Sequence, residues 1–333
     1  MKRHKICKII FAILAVFLCV AFYELIGICI TYKKQPAVSD ATIKETQNIM
    51  SVAGRENTER AVIIEKNSQA LLERVRLIQN AKDEIILSTF AFKSDESGKL
   101  ILGALHDAAD RGVHVRILVD GMESWIDMEG NPYFYGLSSH ENVEIKLYNK
   151  ANPLKPWKTM GRMHDKYLIA DGKIYILGGR NTYNYFLGDF PGHKNFDRDV
   201  LVVCDEPQKD NSVNQLWNYF ETIWEQEDCR YFHNSKKLAD RQSVKKAVLE
   251  LQEGYQQYFE VNKEKICDTD YADETFETEK ITLLSNPIHT QAKEPVVWYQ
   301  LGELMKNAKE RVKIHTPYIT VSYTHLRAHE TGR

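Results

Sequence analysis

The chain has 333 residues, enough for about two domains. Its 44 basic side chains face 46 acidic ones for a net charge of −2, which argues against general nucleic-acid coating. Of six cysteines, Cys7, Cys19 and Cys29 sit in or beside an apolar run, and Cys204, Cys229 and Cys267 are scattered. That spacing suits neither a zinc site nor a disulfide framework, and at most one disulfide is expected.

Residues 9–30 are almost wholly apolar, interrupted by Tyr23, Glu24 and Gly27, and are long enough to span a bilayer. Lys2, Arg3, Lys5 and Lys8 precede the run, predicting a cytoplasmic N-terminus and an external remainder; Lys33 and Lys34 weaken that orientation without reversing it. Glu24 is tolerable near the outer interface. A cleaved signal peptide is the alternative, but no small-x-small site follows the run. Residues 1–34 therefore read as an uncleaved, single-pass anchor in the cell membrane, and the polar residues 35–60 as a juxtamembrane linker.

From residue 61 onward strand and helix patterns alternate. A strand at 62–64 precedes a helix capped by Ser68, a strand follows at 84–92, and a helix at 100–111 stops at Gly112. Strands at 113–119, closed by Asp120-Gly121, and at 143–147 come next. This alternation predicts an α/β sandwich around a mixed sheet over 61–230, closed by an amphipathic helix at 211–224. Residues 231–280 are helical, charged and then acidic, which reads as a solvated connector or, alternatively, a lid over a cleft. Strand-like sequence restarts at 281–284.

The most informative run, 163–181, reads Met-His-Asp-Lys-Tyr-Leu-Ile-Ala-Asp-Gly-Lys-Ile-Tyr-Ile-Leu-Gly-Gly-Arg-Asn. Residues 167–170 and 173–177 are β-rich and flank Asp171-Gly172, a strong hairpin signal. Alternation along a strand puts His164 and Lys166 on one side. An imidazole can attack phosphorus while the neighbouring ammonium neutralises phosphoryl oxygens. Gly178 and Gly179 permit close backbone approach, and Asn181 offers an amide donor. Asp171 is either a turn former or a support for the site. Around the run, Lys150, Lys155, Lys158, Arg162 and Lys166 outnumber Asp165 and Asp171, a basic rim suited to anionic headgroups.

His-x-Lys with an Asp five residues beyond the Lys, then Gly-Gly-x-Asn, resembles the HKD signature of the phospholipase D superfamily. The run 195–203, Asn-Phe-Asp-Arg-Asp-Val-Leu-Val-Val, resembles the following strand of bacterial cardiolipin synthase-like members, which place an acidic residue near the catalytic His. Asp197 and Asp199 are both candidates for orienting His164. The resemblance implies His164, Lys166 and Asp171 as catalytic residues, with Lys166 and Asn181 holding the phosphate. It also implies a phosphohistidine mechanism without metal or other cofactor. A membrane phospholipid such as phosphatidylglycerol is the expected substrate, with no nucleic acid as partner. Transfer to another alcohol and hydrolysis share this chemistry; a superfamily nuclease and a non-catalytic scaffold are the rival readings.

Residues 77–89 line up with 304–316 around a shared Asn-Ala-Lys, an internal repeat. Family members commonly join two such halves, each donating one motif. Here 281–320 reads as the beginning of a second half, with Thr316-Pro-Tyr318 as its first strand end, and His315 is no substitute motif because no Lys follows two residues later. If only one motif exists, a homodimer is expected. Residues 321–333 lack periodicity and match the translated end of a common transposase sequencing adapter, so His325 and His329 carry no metal expectation.

Overall fold

The computed structural model describes residues 2–51, 58–152, 154–233 and 235–314. The expectations for His315, for Thr316-Pro-Tyr318 and for residues 321–333 lie outside the described residues.

Among the described residues, nine strands form one mixed sheet: β1 (Arg60–Ile64), β2 (Glu84–Thr89), β3 (His114–Asp120), β4 (Val143–Tyr148), β5 (Tyr167–Ala170), β6 (Ile174–Gly178), β7 (Asp199–Val203), β8 (Cys229–Tyr231) and β9 (Phe276–Glu277), in the order β8-β4-β3-β2-β5-β6-β7-β1-β9. The adjacent strands β2, β3 and β4 run parallel. β5 is antiparallel to β2, β6 to β5, and β7 to β6. Consequently the carboxyl ends of β2 to β4, the start of β5, the end of β6 and the start of β7 share one edge of the sheet.

The helices are α1 (Lys2–Tyr32), α2 (Asp40–Ser51), α3 (Asn67–Asn80), α4 (Glu96–Asp110), α5 (Gly121–Asp127), α6 (Pro132–Ser138), α7 (Ser212–Trp224), α8 (Lys236–Ala239), α9 (Gln242–Cys267) and α10 (Val296–Asn307). The period-two pattern of the strands feeds two cores. Ile85, Leu87, Leu168 and Leu201 join Leu71, Leu102 and Leu251 of α3, α4 and α9. On the other face Ile86, Tyr167, Ile169 and Val202 join Leu216, Phe220 and Trp224 of α7. Each such side chain, fully buried, contributes about 1.5–3 kcal/mol, so both faces of the sheet are anchored and the strand ends at the shared edge are held in fixed positions.

Three local expectations change. α3 begins at Asn67 and has no side-chain cap at its start; the Asn67 amide donates to Asn195 O at 2.8 Å and its Oδ1 accepts from Arg180 Nε at 3.1 Å. Ser68 is therefore inside the first turn, which is tied to neighbouring loops. β2 stops at Thr89, because Ala91 N–H turns aside to Asn181 Oδ1 at 3.2 Å. The charged stretch after residue 231 forms α9, whose Val244, Ala247, Leu251, Tyr255 and Ile266 are buried. Its charges are the outer face of a helix packed on α3, α4 and α6.

α1 is long and apolar enough to cross a membrane, with a mean hydropathy of 2.7 in its most apolar window. The repeated Asn-Ala-Lys also has a structural counterpart. α3 ends at Asn80 with Ala81 extended (φ −62°, ψ 138°), and α10 ends at Asn307 with Ala308 extended (φ −65°, ψ 128°).

Candidate active site

The approach to β5 is fixed by the end of β3. Asp120 accepts the N–H of Met122 at 3.0 Å as α5 begins, and the N–H of Met163 at 3.1 Å from the segment entering β5. Its carboxylate also binds Arg162, Nε to Oδ1 at 2.9 Å and Nη2 to Oδ1 at 2.7 Å. One buried carboxylate thus locks two strand ends together. Phe90, just beyond β2, lies under the result. Its ring meets the His164 imidazole edge-on at 4.6 Å, and its centroid is 4.9 Å from the Arg162 guanidinium and 5.1 Å from Lys166 Nζ. Three nitrogen-bearing groups converge on one aromatic ring.

His164 is exposed, whereas Lys166 is 6% exposed. Lys166 Nζ donates to His164 O at 2.6 Å, which fixes the spacing of the two residues. Burial pushes the Lys166 ammonium down to about 8, against the pull of Asp165, Asp197 and Asp120. Partial desolvation, then the Lys166 charge, holds the His164 imidazole below its ordinary range. The His164 shift suits a nucleophile, since only the neutral ring can attack. Asp165 points the other way: its carboxylate accepts Tyr219 Oη–H of α7 at 2.8 Å, and burial raises its pKa. These groups open on a cleft of about 390 Å³, bounded by Arg162, His164, Lys166, Tyr219, Asn286 and Lys293. Its strand residues are Tyr167 at the start of β5 and Leu177 and Gly178 at the end of β6, on the edge of the sheet that β2 to β4 share with their carboxyl ends.

The pH dependence follows from these shifts. With His164 as nucleophile, the imidazole stays neutral down to below its ordinary value of 6.5, and the acid limb of kcat/KM is expected to fall there. The alkaline limb is expected to fall as Lys166 loses its proton at about 8. Lys166→Arg, which does not titrate in this range, is expected to lift the alkaline limb. A profile of kcat/KM that stays level through that region would contradict the role given to Lys166.

The other sequence candidates divide. Asp197 reaches the cleft electrostatically, through Lys166, and its Oδ1 accepts the N–H of Arg198 at 2.8 Å. Asn181 is buried, its Oδ1 accepting Ala91 N–H, and it is not one of the residues that bound the cleft. Asp199 lies beneath, paired with Arg74 at 3.0 Å and Arg180 at 3.2 Å, so its carboxylate serves two buried guanidiniums. Asp171 is at the opposite sheet edge. It and Gly172 form the turn, with φ of 52° and 61°, and its carboxylate accepts the N–H groups of Lys82, Asp83 and Glu84 at 2.9, 2.8 and 3.0 Å. Asp171→Ala is expected to cost about 1–3 kcal/mol in urea unfolding, by stripping acceptors from those donors, and to leave kcat within about twofold in the folded fraction. A large loss of kcat at unchanged stability would return Asp171 to the chemistry.

The paired glycines have a steric cause. A Cβ on Gly178 would stand 1.9 Å from Asp199 Oδ1, and one on Gly179 would stand 1.9 Å from Asp197 Oδ2. Four contributors escaped the sequence: Phe90, Asp120, Arg162 as a cleft residue, and Arg180. Arg180, fully buried, donates to Asn67 Oδ1, to Ile64 O at 3.2 Å, to Glu65 O at 2.6 Å and to Asp197 O. Its place inside the Gly-Gly-Arg-Asn run was a usable signal; Phe90 and Asp120 offered only their positions at strand ends.

The fold is a mixed-sheet α/β domain with a cleft at one end of the sheet, and comparison with known proteins narrows the class. Residues 75–224 match the family described as cardiolipin synthase, PLD-like domain. That stretch is similar to phospholipase D-like domains, and cardiolipin synthases are among the proteins it resembles. Cardiolipin synthase C of Escherichia coli (strain K12) is 29% identical over 154 residues, 42% of this chain and 31% of that protein. An uncharacterized protein of Helicobacter pylori (strain ATCC 700392 / 26695) is 33% identical over 181 residues, 50% of this chain and 35% of that protein. The match therefore spans about a third of these relatives' length. Among solved structures, phosphatidylserine synthase of Haemophilus influenzae Rd KW20 aligns with a TM-score of 0.45 at 15% identity, over 66% of this chain and 48% of that one.

Proposed function

We propose that the chain is the His-bearing part of a membrane-anchored enzyme that moves phosphatidyl groups through a phosphohistidine at His164. The observation that carries this reading is the pairing of an exposed, neutral-leaning imidazole with a buried ammonium over Phe90. An imidazole nitrogen attacks the phosphodiester phosphorus, and the bond to the headgroup oxygen breaks as that oxygen takes up a proton. Lys166 and Arg162 balance the charge that builds on the non-bridging oxygens. Asn181 supports the phosphate, and Asp197 favours the protonated state of Lys166. An acceptor alcohol or water then loses a proton and displaces His164. The proton-transferring acid is assigned to a second His-x-Lys motif, from a second half or from a partner copy.

Phospholipid is the favoured substrate because homologous cardiolipin synthases act in that chemistry and α1 suits a single-pass anchor, with the catalytic domain extracytoplasmic by the basic residues preceding it. The test offers phosphate-labelled phosphatidylglycerol and single-stranded DNA in parallel to the full chain in vesicles. Label passing into cardiolipin or phosphatidic acid is expected; cleavage of the DNA alone would overturn the lipid reading.

A further inference from the structure

The edge of the sheet that carries His164 also carries most of the large apolar side chains that the domain's loops expose. Trp125 and Ile126, on α5 after β3, are 62% and 65% exposed. Leu154 and Met160, between β4 and β5, are 80% and 57% exposed, and Phe196, before β7, is 79% exposed. These residues come from three separate connections, all emerging at the edge where the cleft opens. Soluble surfaces scatter such residues singly; a set rimmed by polar groups marks a docking surface.

What covers this rim is set by α1. Tyr23 Oη–H donates to Leu154 O at 3.5 Å, and Tyr32 Oη–H donates to Trp157 O at 3.4 Å and Thr290 O at 2.9 Å. The 154–160 loop therefore runs beside the last turns of the apolar helix. A hydrocarbon core of about 30 Å takes about 20 residues, so a span starting at Ile9 ends near Ile28. At about 1.5 Å per residue Tyr23, and Leu154 beside it, then lie about 8 Å inside that boundary. Lys150 and Lys155, exposed in the same connection, are placed for anionic headgroups.

We infer that Trp125, Ile126, Leu154, Met160 and Phe196 form an apolar rim that enters the bilayer anchoring α1, so that the His164 cleft opens directly onto the lipid surface. The inference rests on the phospholipid reading of that cleft and adds how the substrate reaches it: a headgroup is drawn up from the leaflet without leaving it. α1 holds the domain near the membrane, while the rim orients it.

The full chain, reconstituted in mixed phosphatidylglycerol–phosphatidylcholine vesicles with acyl chains brominated near the headgroup, tests this through quenching of tryptophan emission. Trp125→Phe is expected to lose part of the quenched emission, and Phe196→Trp to add to it. Trp217→Phe should leave it unchanged, because Trp217 bonds Glu84 at the opposite sheet edge. All three changes are at half-buried or exposed sites, and circular dichroism checks their folding. Quenching unaffected by either Trp125→Phe or Phe196→Trp overturns the rim. The readout needs no turnover, so a failed rim leaves the phosphohistidine reading standing, and an inactive chain still reports whether the rim is immersed.

Discussion

His164→Asn is expected to abolish phosphatidyl transfer, with a loss of about 10⁴-fold or more, the scale seen when a covalent nucleophile is removed from a group acting as a unit. Asparagine keeps polarity and approximate reach but has no nitrogen lone pair able to attack phosphorus. The side chain is exposed, and its ring packs against Phe90, so little stability should be lost. That separation gives the prediction its force: thermal unfolding of the variant stays near that of the native chain while labelled product falls to background. Residual turnover within about tenfold of native would place the nucleophile elsewhere.

The second large effect concerns stability. Asp199 is the buried counter-ion of Arg74 on α3 and Arg180 beyond β6, and all three side chains are at most 5% exposed. Removing one partner from a buried ionic cluster leaves charge without compensation and costs about 3–5 kcal/mol. Asp199→Ala is expected to lower unfolding stability by that amount in urea. The consequence should reach the cleft, because Arg180 also ties the end of β1 to Asp197 O. Asp199→Asn keeps the volume but not the charge, and should recover little of the loss. A cost under about 1 kcal/mol for Asp199→Ala would mean that the two guanidiniums find other partners or water.

The local parts of this fold were legible because their signals are local. Asp171-Gly172 demanded a turn with positive φ, and the β-rich runs around it gave β5 and β6 with the register that brings Lys166 beside Gly178. His164 and Lys166 were paired by strand alternation, yet both precede β5; what joins them is Lys166 Nζ–H donating to His164 O and the Phe90 ring that each approaches. Roles that depend on long-range contacts were not legible. Asp171 looked catalytic by position in the motif, yet its carboxylate faces the N–H groups of residues 82–84, nearly ninety residues away in sequence. That the Asp199 carboxylate is committed to Arg74 and Arg180 required knowing where those residues lie. Phe90 and Asp120 carry no motif, and only the sheet order brings the ends of β2 and β3 against the start of β5. The charge pattern of α9 hid a buried stripe because its long polar face outweighs five apolar contacts.

The central claim is a covalent bond between phosphorus and His164. It is tested most directly by mixing the full chain with phosphate-labelled phosphatidylglycerol, quenching in alkali to preserve phosphohistidine, and mapping the labelled peptide by mass spectrometry. The account predicts an acid-labile phosphatidyl adduct on the peptide containing His164, absent from His164→Asn. Turnover that proceeds with no adduct at His164, or with the adduct on another residue, would contradict it.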